Sequence, residues 1–237
     1  MQTAPESLTN PSRFARAAAH QRQANSTTSS SSRSSAGAGS AGLSGKPGLG
    51  RTSTEWQELY FRWYAGGISL PRDEEGNTVA EDAVLLPFPD TPGDGTPGHL
   101  EATLRAGQSW VLPLRVMVGS SYSDGTATDE FLPQTHLESL DISFEIDGRK
   151  VVSRSNVMDY YSQSTFAPPI PFDAAPVKAL IWMQVIGVVH GPLEIGPHKL
   201  KLDVKDTRPL PPAFAGGLMN FHNTWSINVL AGGRTSK

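Results

Sequence analysis

Histidine and carboxylate side chains are the residues of this chain best suited to proton transfer. The sequence has six histidines, but none forms an H-x-H or H-E-x-x-H pattern, so no zinc-helix motif is present. His190 and His198 flank the segment GPLEIGP, and a tight connection there would bring both imidazoles close to Glu194. With His136 as a further candidate, these residues predict an acid–base site of hydrolase or isomerase type. The competing interpretation is that they are ordinary surface or turn residues.

The most acidic loop is a candidate cation site. Residues 122–130 read YSDGTATDE and offer Asp124, Asp129 and Glu130 on a glycine-containing segment. Ca²⁺ prefers several oxygen ligands held by a flexible loop. The ordered spacing of an EF-hand is absent, which favours a solvated loop between strands. A calcium-stabilised domain therefore stays an alternative, and no other cofactor is predicted.

Two adjacent tyrosines are candidates for ligand binding. Tyr160 and Tyr161 lie in the segment DYYSQ, and exposed rings at these positions could stack on a sugar or peptide. Trp182 lies in the most apolar segment of the chain and is assigned to the core instead. The sequence therefore predicts a protein or carbohydrate ligand, with the two tyrosines as the first residues to test.

Composition excludes several classes of function. The chain has no cysteine, which rules out disulfides, thiolate zinc sites and a cysteine nucleophile. The formal charge of −3 and the lack of a glycine-rich phosphate cradle argue against a nucleic-acid partner. No G-x-S-x-G sequence supports a serine hydrolase. No apolar run reaches the roughly 18 residues that a membrane span requires.

The chain divides into two unlike parts. Residues 1–53 contain six basic residues against one acidic residue, a charge of +5, which leaves −8 of the total −3 for residues 54–237. The serine- and glycine-rich stretch 26–45 cannot bury enough apolar surface to offset chain entropy, so a disordered leader is predicted. This composition is typical of a tail without a specific role, of an organelle transit peptide and of the leaders of effectors exported by type III secretion.

The remainder, 54–237, is predicted to form one all-β domain with a short N-terminal helix. Thr54 and Gln57 predict a capping box, an aromatic stripe at helical spacing follows from Trp56 to Tyr64, and Gly66 ends the helix. The stripe is assigned to the core. Alternating apolar and polar segments then predict strands at 99–104, 109–118, 140–146, 149–153, 199–205 and 225–229. Residues 180–189 are apolar on both faces and predict a central strand.

These segments together predict an antiparallel two-sheet sandwich. The Asp147-Gly148 pair is the strongest hairpin signal in the chain. Several short strands separated by turns are typical of sandwiches. Residues 70–98 are rich in proline, glycine and acids and predict a long loop with one short strand near 84–88.

Four stretches together resemble an uncharacterised family of mainly bacterial secreted β-sandwich proteins. They are TEWQELYFRWYAGGISLP, LRAGQSWVLPL, LDISFEIDGRKV with YYSQSTFAPPIPF, and ALIWMQVIGVVHGPLEIGPHKLKLDV with the closing strand 224–229. The resemblance covers roughly residues 54–230 and implies a sandwich fold without an established activity. Members of that family often carry two cysteines and a signal peptide, whereas this chain has Ala102 at one of those positions and no cysteine.

The sequence thus predicts a non-enzymatic binding or interaction module, delivered through its leader in the manner of an effector. Without the apolar region of a classical signal peptide, the predicted location is either outside the producing cell by a non-classical route or the cytoplasm.

Overall fold

The computed structural model describes residues 50–90, 96–207 and 220–232. Most of the predicted leader lies outside these residues. The described part contains three helical elements: α1 (Ser53–Tyr64), α2 (Gln134–Leu137) and a 3₁₀ helix (Val157–Tyr160). Its ten strands are β1 (Thr78–Ala80), β2 (Ala83–Leu85), β3 (Gly98–Arg105), β4 (Ser109–Tyr122), β5 (Asp141–Ile146), β6 (Arg149–Ser153), β7 (Tyr161–Ala174), β8 (Val177–His190), β9 (Gly196–Lys205) and β10 (Asn220–Leu230).

Helix α1 begins two residues earlier than the sequence predicts, because its N-cap is Thr52 and not Thr54. Thr52 is the N-cap: its hydroxyl accepts from the Glu55 amide at 3.2 Å, and the Glu55 carboxylate accepts from the Thr52 amide at 2.6 Å. The predicted box of Thr54 and Gln57 is therefore wrong, and Gln57 is buried instead. No helix among the described residues has the length and apolarity needed to cross a bilayer.

The strands form two sheets of five. Sheet A has the order β1-β2-β4-β8-β7, and sheet B has the order β3-β10-β9-β5-β6. Neighbours are antiparallel except for the pairs β2–β4 and β3–β10, which are parallel. The predicted all-β two-sheet sandwich is confirmed, with these two parallel pairings added. Strands β3 and β4 are consecutive but lie in different sheets, so the turn between them crosses from one layer to the other.

The hairpin predicted at Asp147-Gly148 joins β5 to β6. Both turn residues have positive φ, 51° and 76°, as a two-residue type I′ turn requires. The turn also contacts the neighbouring strand β9, because the Asp147 amide donates to the Lys199 carbonyl at 2.8 Å. The hairpin tip is thereby fixed to sheet B.

Apolar side chains pack in two main layers. The first lies between the sheets and includes Leu112, Phe144, Ile186, Leu202 and Trp225. The second lies between sheet A and α1 and includes Trp56, Tyr60, Phe61, Phe166, Met183 and Val185. The aromatic stripe packs in this second layer, and Trp182, which is 3% exposed, packs with Met117 and Leu132, so both are in the interior as predicted. Strand β8 is apolar on both faces because each face is covered.

Strand β7 is not among the strands that the sequence predicts. Residues Tyr161–Ala174 form an edge strand paired with β8. Prolines at 168, 169 and 171 lack an amide proton and argue against a central strand, yet an edge position tolerates them. The pairing shifts register between Thr165 and Ile170, where these prolines begin.

Candidate functional site

An open groove of about 460 Å³ lies on the outer face of sheet B. Three adjacent strands, β3, β10 and β9, form its floor, and the β5–β6 hairpin turn forms one lip. The residues that line it are Glu101, Ala102, Thr103, Asp147, Pro197, His198, Lys199, Ser226, Ile227 and Asn228.

Strand register places the exposed side chains of the groove in two rows. In one row, Ser226 of β10 lies between Glu101 of β3 and Lys199 of β9. In the next, Asn228 lies between Thr103 and Pro197. Neighbouring strands are about 4.8 Å apart, so the backbones of the flanking residues are about 10 Å apart. In the first row a small side chain, Ser226, lies between the longer side chains of Glu101 and Lys199, which leaves a depression between them.

Polar side chains in the groove are not committed to one another. Among the described residues, none of these side chains makes a hydrogen bond or ion pair: Glu101, Thr103, Lys199, Ser226 and Asn228. Some polar side chains elsewhere on the same face do pair with one another. His99 Nδ1 lies 2.6 Å from Thr224 Oγ1, and Asp203 binds both Lys201 at 2.8 Å and His222 at 2.6 Å. The groove is thus a concave part of this face whose donors and acceptors are available to a ligand.

His198 holds the lip of the groove as an imidazolium. Its Nε2 lies 2.8 Å from the Glu194 carbonyl oxygen, which only accepts, so Nε2 carries a proton. Its Nδ1 lies 2.6 Å from Asp147 Oδ2, and a lone pair there would face a carboxylate. Partial burial lowers the pKa of His198, but the hydrogen bonds to Asp147 and the Glu194 carbonyl raise it above its ordinary value overall.

Asp147 completes this arrangement from the hairpin side. Its Oδ1 accepts from the Lys199 amide at 2.8 Å while Oδ2 contacts His198. Burial acts to raise the pKa of Asp147, yet the His198 and Lys199 hydrogen bonds lower it overall. Both nitrogens of His198 are engaged, so neither accepts a proton from a molecule in the groove. The pair ties the hairpin turn to strand β9 and to the 191–195 segment.

The other predicted acid–base residues do not join this site. His136 is buried in α2, 8% exposed. His190, at the end of β8, stacks on Trp110 with ring centroids 4.9 Å apart and donates from Nδ1 to the Gly191 carbonyl at 2.7 Å. Glu194 hydrogen-bonds His198 through its backbone oxygen, not its carboxylate. The groove therefore contains one histidine of the predicted set.

The acidic loop is held by its own hydrogen bonds. Asp129 accepts from the Ser120 amide at 2.9 Å and the Tyr122 hydroxyl at 3.0 Å, and burial raises the pKa of its carboxyl. Asp124 accepts from the Thr126 amide at 3.0 Å, and Glu130 is exposed. No group of three or more metal-ligating side chains occurs in the described residues, so the three acids do not converge on one point.

The two candidate tyrosines are partly buried and do not form an exposed platform. Both rings pack against the core between the sheets. The Tyr161 hydroxyl donates to Gln163 Oε1 at 2.6 Å and accepts from Gln184 Nε2 at 3.0 Å. For Tyr160, burial and then the nearby Asp159 raise the pKa of the phenol. The two rings therefore support the fold and do not form an exposed surface on which a ligand could stack.

Sequence reasoning missed the exposed residues of the groove. It identified the wet faces of β9 and β10 but not that β3 pairs parallel to β10, which brings Glu101 and Thr103 beside Ser226 and Asn228. The signal within the sequence was the pair of small polar residues at outward positions of β10, where charged side chains would be usual.

Comparisons with known proteins add little. No family model matches the chain, and no curated protein matches it. A solved structure described as "Structure of PbICP-C in complex with falcipain-2" is similar over 63% of this chain and 99% of that chain, with 9% identity and a TM-score of 0.25. A likeness at that TM-score carries no argument. The resemblance to the bacterial sandwich family stays a prediction.

Proposed function

We propose that this protein is a non-enzymatic binding module whose ligand contacts the outer face of sheet B at the groove. The observation that carries the proposal is a concavity on the outer face of sheet B, lined by polar side chains that make no hydrogen bond or ion pair with other described residues. A volume of about 460 Å³ lies within the range of ligand clefts, roughly 300–1,000 Å³.

An enzymatic role is less well supported by the same geometry. General acid–base catalysis needs a group within hydrogen-bond reach of a substrate proton and able to exchange it. His198 is the histidine of the groove, and its two nitrogens are bound to Asp147 and to the Glu194 carbonyl. We therefore expect no turnover of ester, phosphate, glycoside or peptide substrates that depends on His198.

A screen on immobilised glycan and peptide arrays tests the binding proposal. The full-length protein would be compared with Ser226→Trp, which fills the middle of the groove, and with Lys205→Trp, which adds the same bulk on the same face outside it. We expect at least one array feature that binds the wild type and the Lys205→Trp variant but not Ser226→Trp. Binding that survives Ser226→Trp, or no binding by the wild type, would overturn the proposal.

Delivery through the leader is a separate proposal, supported by its basic, serine-rich composition. Deletion of residues 2–49 would keep Arg51, which pairs with Glu81 at 2.8 Å, and the Thr52 cap. We expect export to be lost while the melting temperature changes little. Unchanged export would remove the delivery role, and a large drop in melting temperature would show that the segment contributes to the fold.

A further inference from the structure

We propose that the groove binds a neutral saccharide of one or two sugar units, which rests on the proposed binding function and names its ligand class. A sugar presents hydroxyls that both donate and accept, so its site needs both kinds of partner at short intervals. Glu101 only accepts, Lys199 only donates, and the hydroxyls of Thr103 and Ser226 and the amide of Asn228 do both.

The charges of the groove favour a neutral ligand. The Glu101 carboxylate and the Lys199 ammonium lie on opposite sides of Ser226, and the Asp147 carboxylate at the lip is offset by the His198 imidazolium. A phosphate would meet the Glu101 carboxylate as well as the Lys199 ammonium, and a polycation would meet the same two charges. A hydroxyl-rich neutral molecule can instead bridge the acidic and the basic wall at once.

The same surface is poorly suited to an extended peptide. A peptide that adds to a sheet needs a free strand edge, and one that lies on a surface needs pockets for alternate side chains. The backbones of β9 and β10 are committed to the ladders of sheet B. Strand β3 is an edge strand, and the Thr103 carbonyl beside the groove accepts from Asn77 Nδ2 at 2.6 Å, so that edge is partly occupied. Apart from Pro197, the exposed side chains of the groove belong to polar or charged residues, and none of them is a large apolar side chain.

Amide chemical-shift mapping tests this inference on the full-length, ¹⁵N-labelled protein. The probes are maltose, cellobiose, lactose and N,N′-diacetylchitobiose, titrated separately, with glucose 6-phosphate and lysine-rich peptide as charged comparisons. We expect saturable shifts centred on Thr103, Ser226 and Asn228 with at least one neutral disaccharide. The near-isosteric Asn228→Leu should weaken that binding about three- to tenfold, whereas Lys205→Gln should not.

Two results would overturn the saccharide inference. One is the absence of groove shifts with all four neutral disaccharides. The other is saturable binding that Asn228→Leu leaves unchanged. If the arrays meanwhile give a peptide whose binding is lost in Ser226→Trp, the binding function stands and the ligand class is wrong. If neither array nor titration depends on the groove, both proposals fail.

Discussion

The outer faces of the two sheets differ in what covers them. On sheet A, α1 lies across β7 and β8: Phe61 stacks on Phe166 with centroids 5.8 Å apart, and Ser164 donates to Glu58 at 2.5 Å. On sheet B the outer face carries polar side chains open to solvent, such as Lys201 and Ser226. A sandwich has two outer faces, and in this one the first is covered by a helix while the second is exposed to solvent.

The difference is visible in the strands themselves. In strand β8 every residue from Trp182 to Val188 is buried, whichever face of the sheet it points to. The core between the sheets covers one face, and α1 covers the other. Strand β10 alternates strictly between buried and exposed residues because only one side is covered. A strand that is apolar on both faces therefore marks the sheet with the extra layer, and an alternating strand marks the sheet whose outer face is exposed to solvent.

The largest effect should follow from removing an aromatic ring under α1. Phe61→Ala takes away a side chain that is 2% exposed and stacks on Phe166, so we expect a loss of about 3–5 kcal/mol in the free energy of unfolding. Leu230→Ala on the open side removes a side chain that is 41% exposed and should cost about 1 kcal/mol or less. Urea unfolding measures both. Equal losses would contradict the idea that only sheet A carries a packed outer layer.

A smaller loss is expected from a single methyl group in sheet A. Gly119 of β4 packs against the Trp182 indole, and a β-carbon there would overlap the ring. The ring is held in place because its Nε1 donates to the Asp129 carbonyl at 2.8 Å. We expect Gly119→Ala to cost about 1–3 kcal/mol by thermal or urea unfolding.

Gly191→Ala is the matched control for that substitution. No atom lies within 4 Å of a β-carbon built at Gly191, so its stability should change by less than about 0.5 kcal/mol. If the Gly119→Ala variant is as stable as this control, the strand or the Trp182 ring must move to make room for the added methyl group.

The ion pair at the groove lip should give a pH-dependent contribution of up to about 1 kcal/mol. Because the pKa of His198 is raised on folding, its contribution is full below about pH 6.5 and is lost as the pH rises through the folded pKa. The pKa of Asp147 is lowered, so its contribution is present above about pH 4 and is lost as the pH falls through the folded value. The pair therefore stabilises most between about pH 4 and 6.5.

His198→Gln isolates this effect. The free energy of unfolding of the variant should be lower than that of the wild type at pH 5.5. The two values should approach each other at pH 9, when both proteins are unfolded in urea. A difference of the same size at both pH values would mean that the imidazolium is not the stabilising form.

The smallest effect is expected for the paired charges of the open face. Asp203→Asn removes the partner of Lys201 and His222, and such exposed pairs contribute about 0.2–1 kcal/mol. The loss should shrink further in 1 M salt, where screening acts over about 3 Å. Unfolding at low and high salt measures this loss in the free energy of unfolding. A loss above about 2 kcal/mol would show that these surface pairs contribute to the fold more than exposed ion pairs do.

The sequence predicted the sandwich but not its groove, and the reason is physical. The alternation of apolar and polar residues predicts β9 and β10, and the Asp147-Gly148 pair predicts the hairpin. Both signals are carried by neighbouring residues in the chain. The parallel pairing of β3 with β10 joins segments more than 120 residues apart and has no local signal. The groove depends on that pairing. Chemically conspicuous residues such as His136 and Tyr161 were favoured as candidates, but the structure uses them in the interior.

Thiol labelling of matched serine variants tests the central claim most directly, because the chain has no cysteine of its own. Ser226→Cys places a thiol in the groove, and Ser162→Cys places one opposite Val185 on the face that α1 covers, at a site 3% exposed. We expect a maleimide to react with the first at the rate of an exposed thiol and with the second only as fast as the protein unfolds. Equal rates, or rapid labelling at position 162, would contradict a sheet A sealed by its helix and a sheet B open for binding.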